Sequence, residues 1–113
     1  MTAPQLLTTA SIKSAEVTDS TATPTFTLAN NTIYTCTNSA ITTLTISGAA
    51  TGFEYASICF DSGSTAAAVD IPSGWVCIGE DCSNNAFVPV ASKSYNLAII
   101  KRGSDIRVYV MEG

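Results

Sequence analysis

The chain has 113 residues, a mass of 11.7 kDa, a formal net charge of −4 at pH 7 and no histidine. This length accommodates one domain, and its basic residues are too few and too scattered for the cationic cluster that nucleic-acid binding needs. No apolar run reaches the roughly 18 residues of a membrane-spanning helix, so we expect neither a nucleic acid nor a membrane among the partners.

The sequence has few charged residues and many residues with hydroxyl side chains. Only 12% of the residues are charged, whereas Ser and Thr make up about a quarter of the chain. An ordinary soluble domain carries about 25% charged residues. Because Thr also packs well on a pleated surface, the composition predicts a hydroxyl-rich β protein.

The first 24 residues differ from the remainder, since they contain no aromatic residue and few large apolar ones. Their many Thr and Ser residues disfavour a stable helix. We therefore predict an extended N-terminal arm over residues 1–24 that binds a partner. Its candidate apolar anchors are Leu6, Leu7, Ile12 and Val17.

From residue 25 onward, short strand-like runs alternate with turn sequences rich in Gly, Asn, Asp and Ser. This pattern predicts an all-β domain over residues 25–113, specifically an antiparallel β-sandwich of about eight strands. The Thr pairs in "TFT", "TCT" and "TLT" are predicted to be ordinary strand surface. The predicted core contains Ile46, Ile58, Phe60, Val69, Ile71, Trp75, Leu97, Ile99 and Val108.

One run, "SYNLAIIK", departs from simple alternation. Leu97, Ala98, Ile99 and Ile100 are consecutive apolar residues. A strand that is apolar on both sides is typically buried on both sides. The run therefore predicts a central strand, or one packed against a partner subunit.

The sequence offers little to catalysis. Without histidine, the chain lacks the usual base of a serine or cysteine triad and the commonest metal ligand. No nucleophile elbow, Walker loop or dinucleotide-binding glycine motif occurs. We expect a protein that is not an enzyme and that binds no cofactor.

The four cysteines leave alternatives open. Cys77 and Cys82 are separated by four residues, a spacing that permits a small disulfide loop or half of a zinc site. Cys36 and Cys59 lie far apart within strand runs, and we expect both to be buried, reduced thiols. The N-terminus lacks the pattern of an export signal, which favours synthesis in a reducing cytoplasm and disfavours the disulfide. No metal is expected.

Aromatic residues offer a second kind of function. Trp75 follows the turn "PSG" and is predicted to plug the core. Four tyrosines, Tyr34, Tyr55, Tyr95 and Tyr109, lie inside strand runs and could contribute to a carbohydrate or protein contact.

Four sequence strings carry a resemblance through their order and spacing, namely "LANNTIYTCTNSAITTLTI", "ASICFDSGSTAAAVDIPSGW", "VASKSYNLAII" and the closing "IRVYVMEG". Over about residues 26–113 the chain resembles a β domain common in virion proteins of tailed bacteriophages. The corresponding loop of that family generally lacks paired cysteines, whereas "CIGEDCSNN" in this chain contains two. The resemblance implies an auxiliary (decoration) capsid protein or a head or tail fibre component. It further implies a homo-oligomer, with a trimer favoured.

Two hypotheses follow. The first is a virion structural protein, made in the host cytoplasm, that binds the major capsid protein or another virion protein through its arm. The second is a free carbohydrate- or receptor-binding β domain that uses aromatic residues.

Overall fold

The computed structural model describes residues 15–113, and this part of the chain contains strands but no helix. The all-β prediction is therefore confirmed for the described residues. In chain order the strands are β1 (Ala15–Asp19), β2 (Thr25–Leu28), β3 (Thr32–Cys36), β4 (Thr43–Ala49), β5 (Tyr55–Asp61), β6 (Ala68–Asp70), β7 (Val76–Gly79), β8 (Cys82–Ser83), β9 (Ala86–Phe87), β10 (Ser94–Arg102) and β11 (Asp105–Glu112).

The strands form three sheets. A six-stranded sheet has the order β1-β3-β5-β10-β11-β7, a three-stranded sheet has the order β2-β4-β6, and β8 pairs with β9 alone. Phe26 of the three-stranded sheet packs on Tyr34 of the six-stranded sheet, with ring centroids 4.6 Å apart. The inner faces of these two sheets thus contribute to a shared core.

The first six strands alternate between the two larger sheets. The pairs β1 with β3 and β3 with β5 are parallel, as are β2 with β4 and β4 with β6. The chain therefore winds in three successive coils, like a short β-solenoid, in which each coil stacks on the one before.

The prediction that the sandwich would be antiparallel is wrong, because the sheets are mixed. Short turn sequences suggested hairpins, but in the first half of the chain these turns carry the chain across to the opposite sheet. Antiparallel pairing is confined to β5 with β10, β10 with β11, and β8 with β9 among the described strands. Alternation of apolar residues looks the same in parallel and antiparallel strands when one face is buried.

The β10–β11 hairpin extends the six-stranded sheet beyond the coils. Arg102 pairs with Asp105 across a two-residue turn in which Gly103 has φ +62°. Such left-handed residues give the turn a twist that matches the flanking strands. β7 then pairs in parallel with β11 at the edge of the sheet.

The core agrees closely with the prediction. Six of the nine predicted core residues are buried, namely Ile46, Ile58, Phe60, Leu97, Ile99 and Val108. Val69, Ile71 and Trp75 are partly buried and pack against this core. No buried side-chain nitrogen or oxygen of the described residues lacks a hydrogen-bond partner.

Part of the predicted arm is a strand of the sheet. β1 pairs with β3 from Ala15 to Asp19, and the carbonyl oxygens of Ala22 and Pro24 accept hydrogen bonds from Thr42, Thr43 and Thr45. Residues 15–24 are thus integrated with residues 25–113 in the described fold. The remainder of the predicted arm, residues 1–14, lies outside the described residues.

Gly79 gives a sharp test of the β7–β11 pairing. It has φ +116°, and a Cβ at this position would lie 2.3 Å from the carbonyl oxygen of Val110. We expect Gly79→Ala to lower the free energy of unfolding by more than the about 1–3 kcal/mol of backbone strain alone.

Gly74→Ala is the matched control, because Gly74 has φ +91° but nothing within 4 Å of a built Cβ. Urea unfolding of both variants measures the difference. Equal losses would contradict the close approach of β7 and β11.

Candidate functional site

The structure describes one of the four predicted arm anchors. Leu6, Leu7 and Ile12 lie outside the described residues. Val17 lies in β1, in register with Tyr34 and Ile58, which are buried. Val17 itself is 40% exposed because β1 ends the stack of coils among the described residues.

A compact charged cluster forms around Lys93. Its Nζ lies 2.6 Å from Glu80 Oε2, 2.8 Å from Asp81 Oδ2 and 3.8 Å from Glu112 Oε1. The hydroxyl of Tyr95 donates to Asp81 Oδ2 at 2.5 Å and accepts a hydrogen bond from the Val90 amide at 2.8 Å. Asp81 has φ +56°, so the cluster fastens a strained loop to β10.

The charges in this cluster favour one another. Hydrogen bonds from Lys93 and then from Tyr95 hold the pKa of Asp81 below its ordinary value. The same carboxylates raise the pKa of Lys93. Because all three carboxylates lie within 3.8 Å of the Lys93 ammonium group, the cluster ties the loop that contains Asp81 to the start of β10.

The lowered pKa of Asp81 predicts a pH dependence of stability. A carboxyl group with a lower pKa in the folded state stabilises the fold above its unfolded value, here near 3.8, and this contribution is lost as the pH falls through the folded pKa. We expect the stability of the wild-type protein to fall below about pH 4. Asp81→Asn should be less stable than wild type at pH 7, and its stability should change less with pH in this acid range.

Glu80→Gln is the control for this prediction, since Glu80 contacts the same Nζ but its side chain is 43% exposed. Exposed ion pairs contribute little to stability. Thermal unfolding from pH 2.5 to pH 8 should show a smaller change for Glu80→Gln than for Asp81→Asn. An unchanged acid profile in Asp81→Asn would contradict the assignment.

All four cysteines are free thiols in the structure. Cys36 is buried as predicted, and burial raises its pKa to about 12. Cys59 is only half-buried, because its side chain lies on the opposite face of β5 from the core. Burial raises the pKa of Cys82 to about 11, with Cys77 and Asp81 nearby.

These thiols are therefore poor nucleophiles near neutral pH, since the thiolate is the reactive form. Among residues 15–113 no group of three or more His, Cys, Asp or Glu side chains is arranged to hold a metal ion.

The four tyrosines divide into two pairs. Tyr34 and Tyr95 are buried, and the hydroxyl of each accepts a backbone amide hydrogen bond. Tyr55 is 41% exposed, and Tyr109 is half-buried. Tyr55 and Tyr109 both lie on the side of the six-stranded sheet that faces away from the core.

The middle of that side, here called the outer face, is mostly apolar, whereas Asp61, Arg102 and Asp105 lie on the same side toward the strand ends. Three cross-strand rows define it, and in them each residue is in register with its neighbours. The rows contain nine apolar side chains: Ile33, Tyr55, Cys59, Val76, Ile78, Ala98, Ile100, Tyr109 and Met111. Their polar members are Ser57, Thr18, Thr35 and Asn96, and their charged members are Glu16 and Arg107.

The three-stranded sheet presents a different surface. Thr25, Thr27 and Ser47 are exposed on its outward side, and Thr25 is in register with Thr45. The Thr27 and Ser47 hydroxyls lie 2.7 Å apart. Of the Thr pairs predicted to be strand surface, Thr25 and Thr27 are exposed, whereas Thr43 and Thr45 are half-buried. In "TCT", Thr35 is half-buried and Thr37 is exposed.

An open groove of about 380 Å³ lies between β6 and the segment after β9, and its lining residues are Ala66, Ala67, Ala68, Val69, Phe87, Val88 and Pro89. No charged or hydrogen-bonding side chain lines this groove. The outer face, with nine apolar side chains on five strands, presents more apolar side chains than this groove.

Sequence reasoning found this surface only in part. The apolar run at Leu97–Ile100 was recognised, but the outer face also needs β5, β7 and β11 beside β10. In the sequence, "VCI", "ICF" and "VYV" have apolar residues at successive positions, which indicates that both sides of these strands are apolar.

Searches against known protein families, curated proteins and solved structures find no match to this chain. Within the described residues no helix is long and apolar enough to cross a membrane.

Proposed function

We propose that the protein is a non-enzymatic structural component of a tailed-bacteriophage particle, an auxiliary capsid protein or a fibre component. The observation that carries this proposal is the resemblance of residues 26–113 to β domains of virion proteins. Its binding partner would be the major capsid protein or another virion protein.

Physical properties of the described domain support this role. Its strands are joined by short turns, its buried polar side chains are paired, and its cysteine pKa values are raised. A particle surface needs a durable domain and no reactive group. The hydroxyl-rich outward side of the three-stranded sheet would face solvent in such a particle.

Attachment is proposed to use the N-terminal segment that precedes β1. Leu6, Leu7 and Ile12 are its candidate apolar anchors. Each could contribute about 1.5–3 kcal/mol if fully buried on a partner, which would offset part of the cost of ordering the segment.

The test is the composition of purified particles. A virion component copurifies with particles in a fixed copy number, and particle maps with and without the protein differ at regular positions. A chain without residues 2–14 should fold but fail to occupy particles. Absence of the protein from purified particles would contradict the proposal.

The alternative, a free carbohydrate-binding domain, would rest on Tyr55 and Tyr109. Sugar sites need several polar groups beside an aromatic ring, whereas Ile33, Ile100 and Ile78 lie in the same cross-strand rows. Glycan binding that is lost in Tyr109→Ala would favour this alternative.

A further inference from the structure

We propose that the outer face of the six-stranded sheet is an interface between two copies of this chain, packed face to face about a two-fold axis. This inference concerns the isolated protein and does not depend on the virion role.

The first argument is the contrast between the two outward surfaces. Hydroxyl side chains predominate on the outward side of the three-stranded sheet, where β6 adds the exposed Ala68 and Asp70, as expected for a surface in contact with water. The outer face instead carries Tyr55, Ile78 and Met111, which are 41%, 40% and 50% exposed. Contiguous apolar patches of this breadth mark interaction sites on soluble domains.

The second argument is the strand β10. Its residues alternate between buried and half-buried, and Ala98 and Ile100 on the half-buried side have no covering layer among the described residues. A strand that is apolar on both sides, at the middle of a sheet with only one covered side, indicates that a further layer packs there.

The third argument is area. Six strands about 4.8 Å apart and about five residues long give a face of roughly 500 Å² in projection. Two such faces packed together would bury about 1,000 Å² in total, which is about the area that a biological interface needs. Sheets commonly pack face to face in this way about 10 Å apart.

The fourth argument is charge. The two charged residues of the outer face lie toward opposite edges, Glu16 on β1 and Arg107 on β11. A two-fold axis that runs along the strands, between β5 and β10, places β1 of one copy over β7 of the other, so that Glu16 lies one strand and one cross-strand row from Arg107 of that copy. The long side chains of these two opposite charges can reach each other across this offset, while the other residues of the three rows are uncharged.

Residues 1–14 of the same chain are a weaker candidate for this layer. Apart from Met1, their large apolar side chains are Leu6, Leu7 and Ile12. These cannot cover nine apolar side chains spread over five strands, whereas a second copy supplies an equal and matching area.

The experiment is sedimentation of the full chain over a range of concentrations. Wild type should sediment at about twice the chain mass of 11.7 kDa. Ile78→Lys and Met111→Lys, at exposed positions of the outer face, should sediment as monomers with an unchanged circular dichroism spectrum. Val88→Lys is the matched control, because Val88 is 66% exposed and lies off this face, and it should remain dimeric.

A charge exchange tests the two-fold arrangement itself. Glu16→Arg should weaken the dimer at least tenfold through repulsion from Arg107 of the other copy. The double variant Glu16→Arg with Arg107→Glu should restore most of the affinity. Failure of the double variant to recover would overturn the placement of the axis.

Cysteine labelling gives an independent measurement. Cys59 lies on the outer face, and Cys82 is a half-buried thiol outside it. Alkylation followed by peptide mass analysis should show Cys59 protected in wild type and accessible in Met111→Lys, with Cys82 unchanged.

Three results would overturn the proposal. The first is a wild-type chain that stays monomeric at every concentration. The second is an oligomer, such as the trimer that the resemblance implies, that both face variants leave intact. The third is a monomer in which Cys59 becomes accessible only after removal of residues 2–14, since that result would identify those residues as the covering layer.

Discussion

Ile99→Ala is expected to lower the free energy of unfolding by about 2–5 kcal/mol. Ile99 is fully buried in β10, in register with Ala56 of β5 on one side and Val108 of β11 on the other. Truncation to alanine leaves a cavity, and these neighbours cannot move to fill it because strand pairing holds their backbones in place. Urea unfolding at a concentration below self-association measures the loss as a lower midpoint with an unchanged slope.

Its neighbour Ile100 provides the matched control. Ile100 lies on the outer face and is half-buried, so Ile100→Ala should cost clearly less than Ile99→Ala in the monomer. Ile99→Val removes one methyl group and should cost about 0.5–1.5 kcal/mol. A larger loss at position 100 than at position 99 would mean that the two faces of β10 are assigned the wrong way round.

The core was predictable because burial follows from alternation. In "TIYTC" and "YASICFD" every second residue is buried, and these are the residues that the two-residue period selects. Sheet order was not predictable, because it depends on which strands meet across the core. Thr32 pairs with Ala56 and Ala15 pairs with Thr32, and nothing in their side chains specifies these partners.

The predicted boundary at residue 24, between the arm and the β domain, differs from the structure for a related reason. β1 contains Glu16, Thr18 and Asp19, and only one large apolar side chain, Val17. Its place in the sheet comes from backbone hydrogen bonds to β3, which any non-proline residue can make. An edge strand at the end of a stack buries little, so its hydrophobic signal is weak.

The charged cluster also required the fold. Lys93 and Asp81 are twelve positions apart, and their contact depends on a loop with positive φ at Asp81, Asn84 and Asn85. Asn and Asp tolerate that conformation, so a turn was predictable there. The contacts between side chains at this turn were not predictable, because they depend on how β10 lies beside the loop.

Removing residues 2–24 is expected to destabilise the domain severely. This deletion eliminates β1 and the chain that leads into β2. Five backbone hydrogen bonds outside the regular ladders would be lost, with acceptors or donors at Ala15, Asp19, Ala22 and Pro24. At about 0.5–1.5 kcal/mol each, these bonds alone account for about 2.5–7.5 kcal/mol. The edge of β3 would also lose its pairing with β1.

Deletion of residues 2–14 is the matched control, since it leaves every described strand in place. Its melting temperature should stay close to that of the full chain, whereas the 2–24 deletion should melt far lower or fail to fold. Thermal unfolding by circular dichroism compares the two. If both deletions melt together with the full chain, residues 15–24 contribute nothing to the fold, and β1 is a detachable arm. If the shorter deletion already unfolds the domain, the segment before β1 stabilises the fold itself, and the proposed attachment to particles must then use another surface.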